Sequence, residues 1–87
     1  YISKLSAKVG EISIRLQDLV NRANSLNSAP DSDSKTRMLK LASVWINRNV
    51  TMDNIGRAAK AADELQRLTD EVQKGADNKN TAGTQQQ

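Results

Sequence analysis

A catalytic pair in this sequence would have to come from Ser or Thr with Lys, or from paired carboxylates such as the adjacent Asp63 and Glu64, which can perform general acid–base work. On a helix, however, neighbouring side chains point to different sides and do not converge on one substrate atom. The chain has no Cys and no His, so it lacks the thiolate nucleophile, the usual general base and the commonest metal ligand. No glycine-rich phosphate loop or metal-ligand spacing is present either. The sequence therefore predicts a non-enzymatic protein without a cofactor or metal.

Basic side chains form the second group that could recognise a ligand. Residues 35–60 carry six basic residues against Asp53 alone, whereas residues 1–34 are balanced and residues 61–87 are net acidic. The six are Lys35, Arg37, Lys40, Arg48, Arg57 and Lys60. Such a patch suits nucleic acid or an acidic partner. No aromatic residues are interleaved for base stacking, and Asp63 and Glu64 would repel phosphate. A solvated face is favoured, and a nucleic-acid-binding domain using residues 35–60 is the alternative.

The segment "ISKLSAKVGEISIRLQDLVNRANSL" has apolar residues at steps of three and four, which predicts an amphipathic helix over about residues 3–27. The apolar stripe consists of Ile2, Leu5, Val9, Ile12, Leu16, Leu19, Ala23 and Leu26. Ile14 lies opposite this stripe and could form a second strip with Ala7. Written as a heptad, Lys8, Arg15 and Arg22 occupy g positions without acidic e partners. This charge pattern disfavours a parallel homodimer and favours an antiparallel arrangement or an acidic partner helix.

The loop "NSAPDSDS" separates this helix from a second one, expected over about residues 35–49. Asn27 can adopt the left-handed conformation that ends a helix, and Pro30 cannot continue one. Asp31, Asp33 and Ser34 are suited to the N-cap and first turn of the next helix. Trp45 lies on the apolar side of the second helix, as a core anchor or, alternatively, as an interface hot spot.

A break at "NRNVTMDN" is expected to begin a third helix, over about residues 52–74, with Thr51 as its cap. One continuous helix over residues 35–74 is the alternative. The apolar residues of this segment are Ile55, Ala58, Ala62, Leu65, Leu68 and Val72. Lys74 followed by Gly75 is typical of a helix end. The polar residues 75–87 are predicted to form a disordered tail.

Charged residues four positions apart predict weak ion pairs along two of the helices. The predicted pairs are Glu11–Arg15, Asp18–Arg22, Asp63–Arg67 and Asp70–Lys74.

These patterns define an all-α fold with one domain over residues 1–74, either a helical hairpin or a three-helix bundle with coiled-coil-like packing. We expect helix 1 to pack against helix 3, within the chain or from a neighbour, with Trp45 closing one end. The residues predicted to pack or interact are Leu5, Val9, Ile12, Ile14, Leu16, Leu19, Trp45, Leu65 and Leu68. A chain of 87 residues buries a thin core, which favours oligomerisation or docking onto a partner.

The functional expectation is a helical protein–protein interaction module that self-assembles or binds a partner helix, including an acidic one. No stretch approaches the roughly 18 apolar residues that a membrane span requires. The abundance of Asn, Ser, Ala and Gln, with few aromatic residues, resembles small helical proteins of bacterial secretion systems and phage particles. This resemblance implies a small component of such an assembly.

Overall fold

A computed structural model of the chain contains three helices and describes the backbone of residues 2–85 and the side chains of residues 4–77. The helices are α1 (Ile2–Ser25), α2 (Asp33–Trp45) and α3 (Ile55–Gln85), and the described backbone contains no strand. The predicted all-α architecture is confirmed in its three-helix form. Since residues 46–54 separate α2 from α3, the alternative of one continuous helix is wrong.

Two ion pairs fix the register of α1 against α3. Arg15 Nη1 lies 2.9 Å from Asp63 Oδ1, and Arg22 Nη1 lies 2.9 Å from Asp70 Oδ1. Both pairs join residues 48 positions apart, so the two helices run parallel, with α2 returning between them. The expected packing of helix 1 against helix 3 therefore occurs within the chain.

The ion pairs predicted within single helices are replaced by other partners. Arg15 and Arg22 reach across to α3 instead of pairing with Glu11 and Asp18. Since basic g positions border the seam between packed helices, their side chains extend towards the neighbouring helix. Two of the three basic g positions, Arg15 and Arg22, thus find acidic partners on α3 of the same chain.

Two further predictions of pairing on α3 are also wrong. Arg67 contacts Glu64 and Glu71, which lie one turn away on either side, and not Asp63. Asp70 contacts Arg22 and accepts hydrogen bonds from Gln66, whereas Lys74 makes no ion pair with it. Asp63 and Asp70 instead pair with the two arginines of α1.

The core is formed by apolar side chains from all three helices and from the loop after α1. It consists of Ile12, Leu16, Leu19, Val20, Ala23, Leu26, Ala29, Met38, Ala42, Trp45, Ala58, Ala61, Ala62, Leu65, Leu68 and Val72. Thr69 is the one polar residue among the buried side chains described, and its hydroxyl donates to the Gln66 carbonyl oxygen and accepts from Arg22. Burial of each large apolar side chain stabilises the fold by about 1.5–3 kcal/mol.

The short second helix leaves part of α1 uncovered. α2 has 13 residues and α1 has 24, which correspond to lengths of roughly 20 Å and 36 Å. Trp45, at the end of α2, reaches the level of Leu16 and Val20 on α1. Leu5 and Val9 lie further towards the N-terminus and are only half-buried. The apolar stripe is therefore fully covered only in its C-terminal part, and the Ile2 side chain lies outside those described.

The loop between α1 and α2 differs from its predicted chemistry. No described residue has a positive φ, so Asn27 does not end α1 in the left-handed conformation. The chain leaves α1 through tight turns, in which the Asn27 amide donates to the Asn24 carbonyl oxygen. Ser32 is the N-cap of α2, since its hydroxyl accepts from the Lys35 amide at 3.0 Å. Asp33 is the acidic residue of the first turn.

The start of α3 is set by Asn54, and not by Thr51. The Asn54 side chain accepts from the Thr51 amide and donates to the Asn49 carbonyl oxygen, which closes the loop. Its own carbonyl oxygen accepts from the Ala58 amide at 2.9 Å and begins the helical hydrogen bonds. The helix therefore starts at Ile55, three residues later than expected.

The predicted end of α3 at Lys74 is wrong. Gly75 does not have a positive φ, so it continues the helix and does not cap it. Ala76 packs against the core, and Gln73 Nε2 donates to Asp77 Oδ1 at 3.0 Å. The first residues of the predicted tail thus belong to α3. Side chains 78–87, together with the backbone of residues 1, 86 and 87, lie outside the described part of the chain.

Candidate interaction surface

A cleft of about 190 Å³ lies between α1 and the end of α2 with the residues that follow it. Its lining consists of Ser13, Leu16, Gln17, Val20, Asn21, Trp45, Ile46, Arg48, Asn49 and Val50. Leu16, Val20 and Trp45 are buried and form an apolar floor, whereas most of the accessible lining of the cleft is polar. The polar residues of the lining are neutral except for Arg48. We call this feature the Trp45 cleft.

The positively charged guanidinium group of Arg48 lies over the Trp45 ring at the cleft. Its guanidinium carbon lies 5.4 Å from the centre of the Trp45 ring, within the range of a cation–π interaction. The arginine is exposed and forms no ion pair with any described side chain. The cleft therefore presents one positioned positive charge next to an apolar floor.

Two large apolar side chains are exposed in or next to the cleft, one in its lining and one beside it on α1. Ile46 lines it directly and is 55% exposed. Ile14 is 64% exposed and lies one turn before Gln17 on α1, on the same side of the helix as Asn21. Ile14 therefore does not pack in the core, and the second strip it was predicted to form with Ala7 has no neighbour among the described helices.

The other predicted packing residues divide into two groups. Five are buried in the core of the chain, and of these only Leu16 also lines the cleft: Ile12, Leu16, Leu19, Leu65 and Leu68. Leu5 and Val9 are half-buried. Trp45 is 7% exposed, so it closes the core at the end of α2 and also borders the cleft.

The sequence patterns gave no role to Val50, Met52 or the polar lining of the cleft. Val50 packs against the core from the loop, and Met52 is exposed there. Both occur in the segment that interrupts the helical pattern, where periodicity assigns no face. The sequence feature that could have identified this segment is the presence of two apolar residues, Val50 and Met52, in an otherwise polar loop.

The six residues of the predicted basic patch fall into two groups, because only Lys35 and Arg37 pair with nearby acidic residues. Lys35 Nζ donates to the Ala29 carbonyl oxygen at 2.7 Å and pairs with Asp31 at 3.2 Å, and its side chain is 13% exposed. Arg37 pairs with Asp33 at 3.5 Å. The remaining four residues form no ion pair in the described region: Lys40, Arg48, Arg57 and Lys60.

The net positive charge nevertheless belongs to one end of the bundle, where α1 and α3 begin and α2 ends. Basic residues there outnumber Glu11 and Asp53; they are Lys4, Lys8, Arg48, Arg57 and Lys60. Acidic and basic residues balance in the rest of the chain, so this end carries the whole net charge of +3. Every ion pair of the described side chains lies in the balanced part. We call the positive region the basic end.

Glu71 connects α3 to α2 and is the described carboxylate with a perturbed pKa. The Ser34 hydroxyl donates a hydrogen bond to Glu71 Oε2 and lowers the pKa of this carboxyl below its ordinary value of 4.5. The positive charges of Arg67 and Arg37 act in the same direction. The hydrogen bond from Arg67 to Glu64 in turn raises the pKa of Arg67. This cluster holds two helices together, away from the Trp45 cleft.

Among the residues described, no group of three or more acidic side chains could hold a metal ion, and no helix has the length and apolarity to cross a membrane. Searches of protein-family models, curated proteins and solved structures found no match to this chain.

Proposed function

We propose that this protein is a non-enzymatic interaction module that binds a partner helix over the Trp45 cleft. The observation that carries the proposal is the exposure of Ile46 in the lining of the cleft and of Ile14 one turn before the lining residue Gln17. Single exposed apolar residues are ordinary, but apolar residues grouped at a concave site are typical of binding surfaces.

A helix is the favoured shape for the partner. The cleft lies between α1 and the end of α2, and an amphipathic helix can place its apolar face into such a groove. A bound helix would cover Ile14 and Ile46, next to a Trp45 ring that the chain itself already buries. Burial of these two aliphatic side chains would contribute to the affinity of a helix-in-groove complex.

Self-assembly is the second form of the proposal, in which another copy of the chain supplies the helix. A small component of a secretion or phage assembly would work in this way. Light scattering over a concentration series separates the two forms, because only self-assembly increases the mass of the isolated protein with concentration.

The direct test uses Trp45, the only tryptophan of the chain, as a fluorescent reporter. The probe is a synthetic amphipathic helix of about 20 residues with leucines at helical spacing. We expect it to shift the Trp45 emission, and we expect Ile14→Asn together with Ile46→Asn to weaken its binding at least tenfold, or about 1.4 kcal/mol. Val44→Asn is the matched control, since Val44 is exposed and apolar but lies two positions before Ile46 and therefore points to a different side of α2. Equal losses from all three substitutions would contradict a site at the cleft.

Nucleic acid is the alternative ligand, favoured by the unpaired cations of the basic end. Its binding would fall steeply with salt, because phosphate contacts release counterions. Affinity for DNA or RNA that disappears on Arg57→Gln with Lys60→Gln, and not on Ile14→Asn, would select this alternative.

A further inference from the structure

We infer that the partner helix is acidic and places a carboxylate on Arg48 while its apolar face covers Ile14 and Ile46. This inference rests on the proposed function and adds the chemistry of the partner. It is carried by the position of one unpaired, stacked guanidinium beside the apolar floor of the Trp45 cleft.

Arg48 is pre-positioned to receive an anion. Stacking on Trp45 occupies one face of the planar guanidinium and leaves its N–H edge available for hydrogen bonds. A carboxylate can accept two parallel N–H bonds from such an edge. Because the ring already restrains the arginine, less side-chain entropy is lost when the partner binds.

The surroundings of Arg48 favour an external carboxylate over an internal one. The other polar residues of the cleft are uncharged: Ser13, Gln17, Asn21 and Asn49. Asp18 on α1 lies one turn after Ile14, away from the cleft, and Asp53, which follows Arg48 in the same loop, forms no ion pair with it. No described carboxylate therefore forms an ion pair with Arg48, and a carboxylate of the partner can do so.

The basic end also favours an acidic partner, through electrostatic attraction that acts over a longer distance than the contact with Arg48. Lys4, Lys8 and Arg57 raise the positive potential around the cleft and would accelerate the approach of an acidic chain. A second copy of this protein fits less well, because a two-fold contact through the cleft brings the two basic ends together. Nucleic acid would satisfy the charge, but it offers no apolar face for Ile14 and Ile46.

The test compares two synthetic helices that differ at one residue. Both carry the leucine face described above, and one has a Glu where the other has a Gln, one turn from the first leucine. Binding is followed through Trp45 emission at low salt. We expect the Glu helix to bind about five- to tenfold more tightly, because a hydrogen bond between charged groups is stronger than a neutral one.

Arg48→Gln should remove the difference between the two helices, while Lys40→Gln should preserve it. Both substitutions delete one exposed positive charge, but Lys40 lies outside the cleft lining. Circular dichroism checks that both variants keep the helical fold. Addition of salt should also reduce the preference for the Glu helix, since exposed charges are screened.

Equal binding of the two helices to the unsubstituted protein would overturn the acidic partner and leave the helix-binding proposal standing. An equal loss from Arg48→Gln and Lys40→Gln would overturn the specific role of Arg48 as well. Binding of neither helix would overturn the proposed function itself. A concentration-dependent dimer that excludes both helices would replace the acidic partner with a second copy.

Discussion

Arg22 joins α1 to α3 through two acceptors on neighbouring residues of α3. Its Nη1 lies 2.9 Å from Asp70 Oδ1 and 3.3 Å from the hydroxyl oxygen of Thr69. Thr69 is fully buried and Asp70 is exposed, so the arginine spans the boundary between the core and solvent. Together with the Arg15–Asp63 pair, this contact joins residues 48 positions apart and so reports the parallel alignment of α1 and α3.

The Arg22–Asp70 pair should contribute modestly to stability. In a double-mutant cycle with Arg22→Ala and Asp70→Ala, we expect a coupling free energy of about 0.2–1 kcal/mol, because both side chains are partly exposed to solvent. Chemical denaturation measures the free energy of unfolding of the four proteins. Lys74→Ala is the control, since Lys74 was the predicted partner of Asp70 and does not contact it. A coupling of Asp70 with Lys74 that exceeds its coupling with Arg22 would contradict the parallel register.

Leu16→Ala should destabilise the fold by about 2–5 kcal/mol, because it removes a buried side chain and leaves a cavity at the floor of the Trp45 cleft. Ile14→Ala is the matched control on the same helix and should change the free energy of unfolding by less than about 0.5 kcal/mol. Thermal and denaturant unfolding measure both effects. Similar losses at the two positions would mean that the outer side of α1 is covered in solution.

Ser34→Ala should raise the pKa of Glu71 towards its ordinary value of 4.5, because it removes the main hydrogen bond to the ionised carboxyl. Since the folded pKa is lowered, ionised Glu71 contributes stability above the unfolded pKa, and this contribution is lost as pH falls through the folded pKa. NMR titration of the Glu71 side-chain carboxyl carbon measures the shift. Thr36→Ala is the control, because the Thr36 hydroxyl donates to the Ser32 carbonyl oxygen and not to Glu71. An unchanged titration in Ser34→Ala would show that the hydrogen bond does not form in solution.

Gly75→Ala should increase helicity and should not destabilise the protein. Gly75 has ordinary helical geometry, and a Cβ at this position meets no atom within 4 Å. Alanine is favoured over glycine inside a helix by about 1 kcal/mol. Circular dichroism and thermal unfolding test this prediction. A loss of stability would indicate that Gly75 adopts the left-handed cap expected from the sequence, since alanine is strained there.

The sequence predicted the helices and the buried face of α1 because apolar spacing is a local property. It could not distinguish Leu5 and Val9 from Leu16 and Leu19, which have the same type and spacing. Their burial differs because α2 is short and covers only part of α1. Periodicity identifies the face that is available for packing, whereas the length of the neighbouring helix decides how much of that face is covered.

The candidate surface was predicted only in part. The positions of Ile14 and Arg48 in the sequence marked an outward apolar residue and a basic residue, but neither pattern placed them near one cleft. That proximity depends on the loop after Trp45, which folds back against α1. The ion pairs were wrong for a related reason, because a rule for residues on one helix does not include the acceptors that α3 brings to Arg15 and Arg22.

The short length of α2 also has a consequence for the dynamics of α1. Backbone amides near Leu16 and Ala23 are covered by two other helices, so their hydrogen exchange should require unfolding of the whole bundle. Amides near Leu5 and Val9 lack this cover and should exchange through local opening of the first turns. A single continuous helix would then have two protection levels, and the boundary between them would lie where Trp45 meets α1.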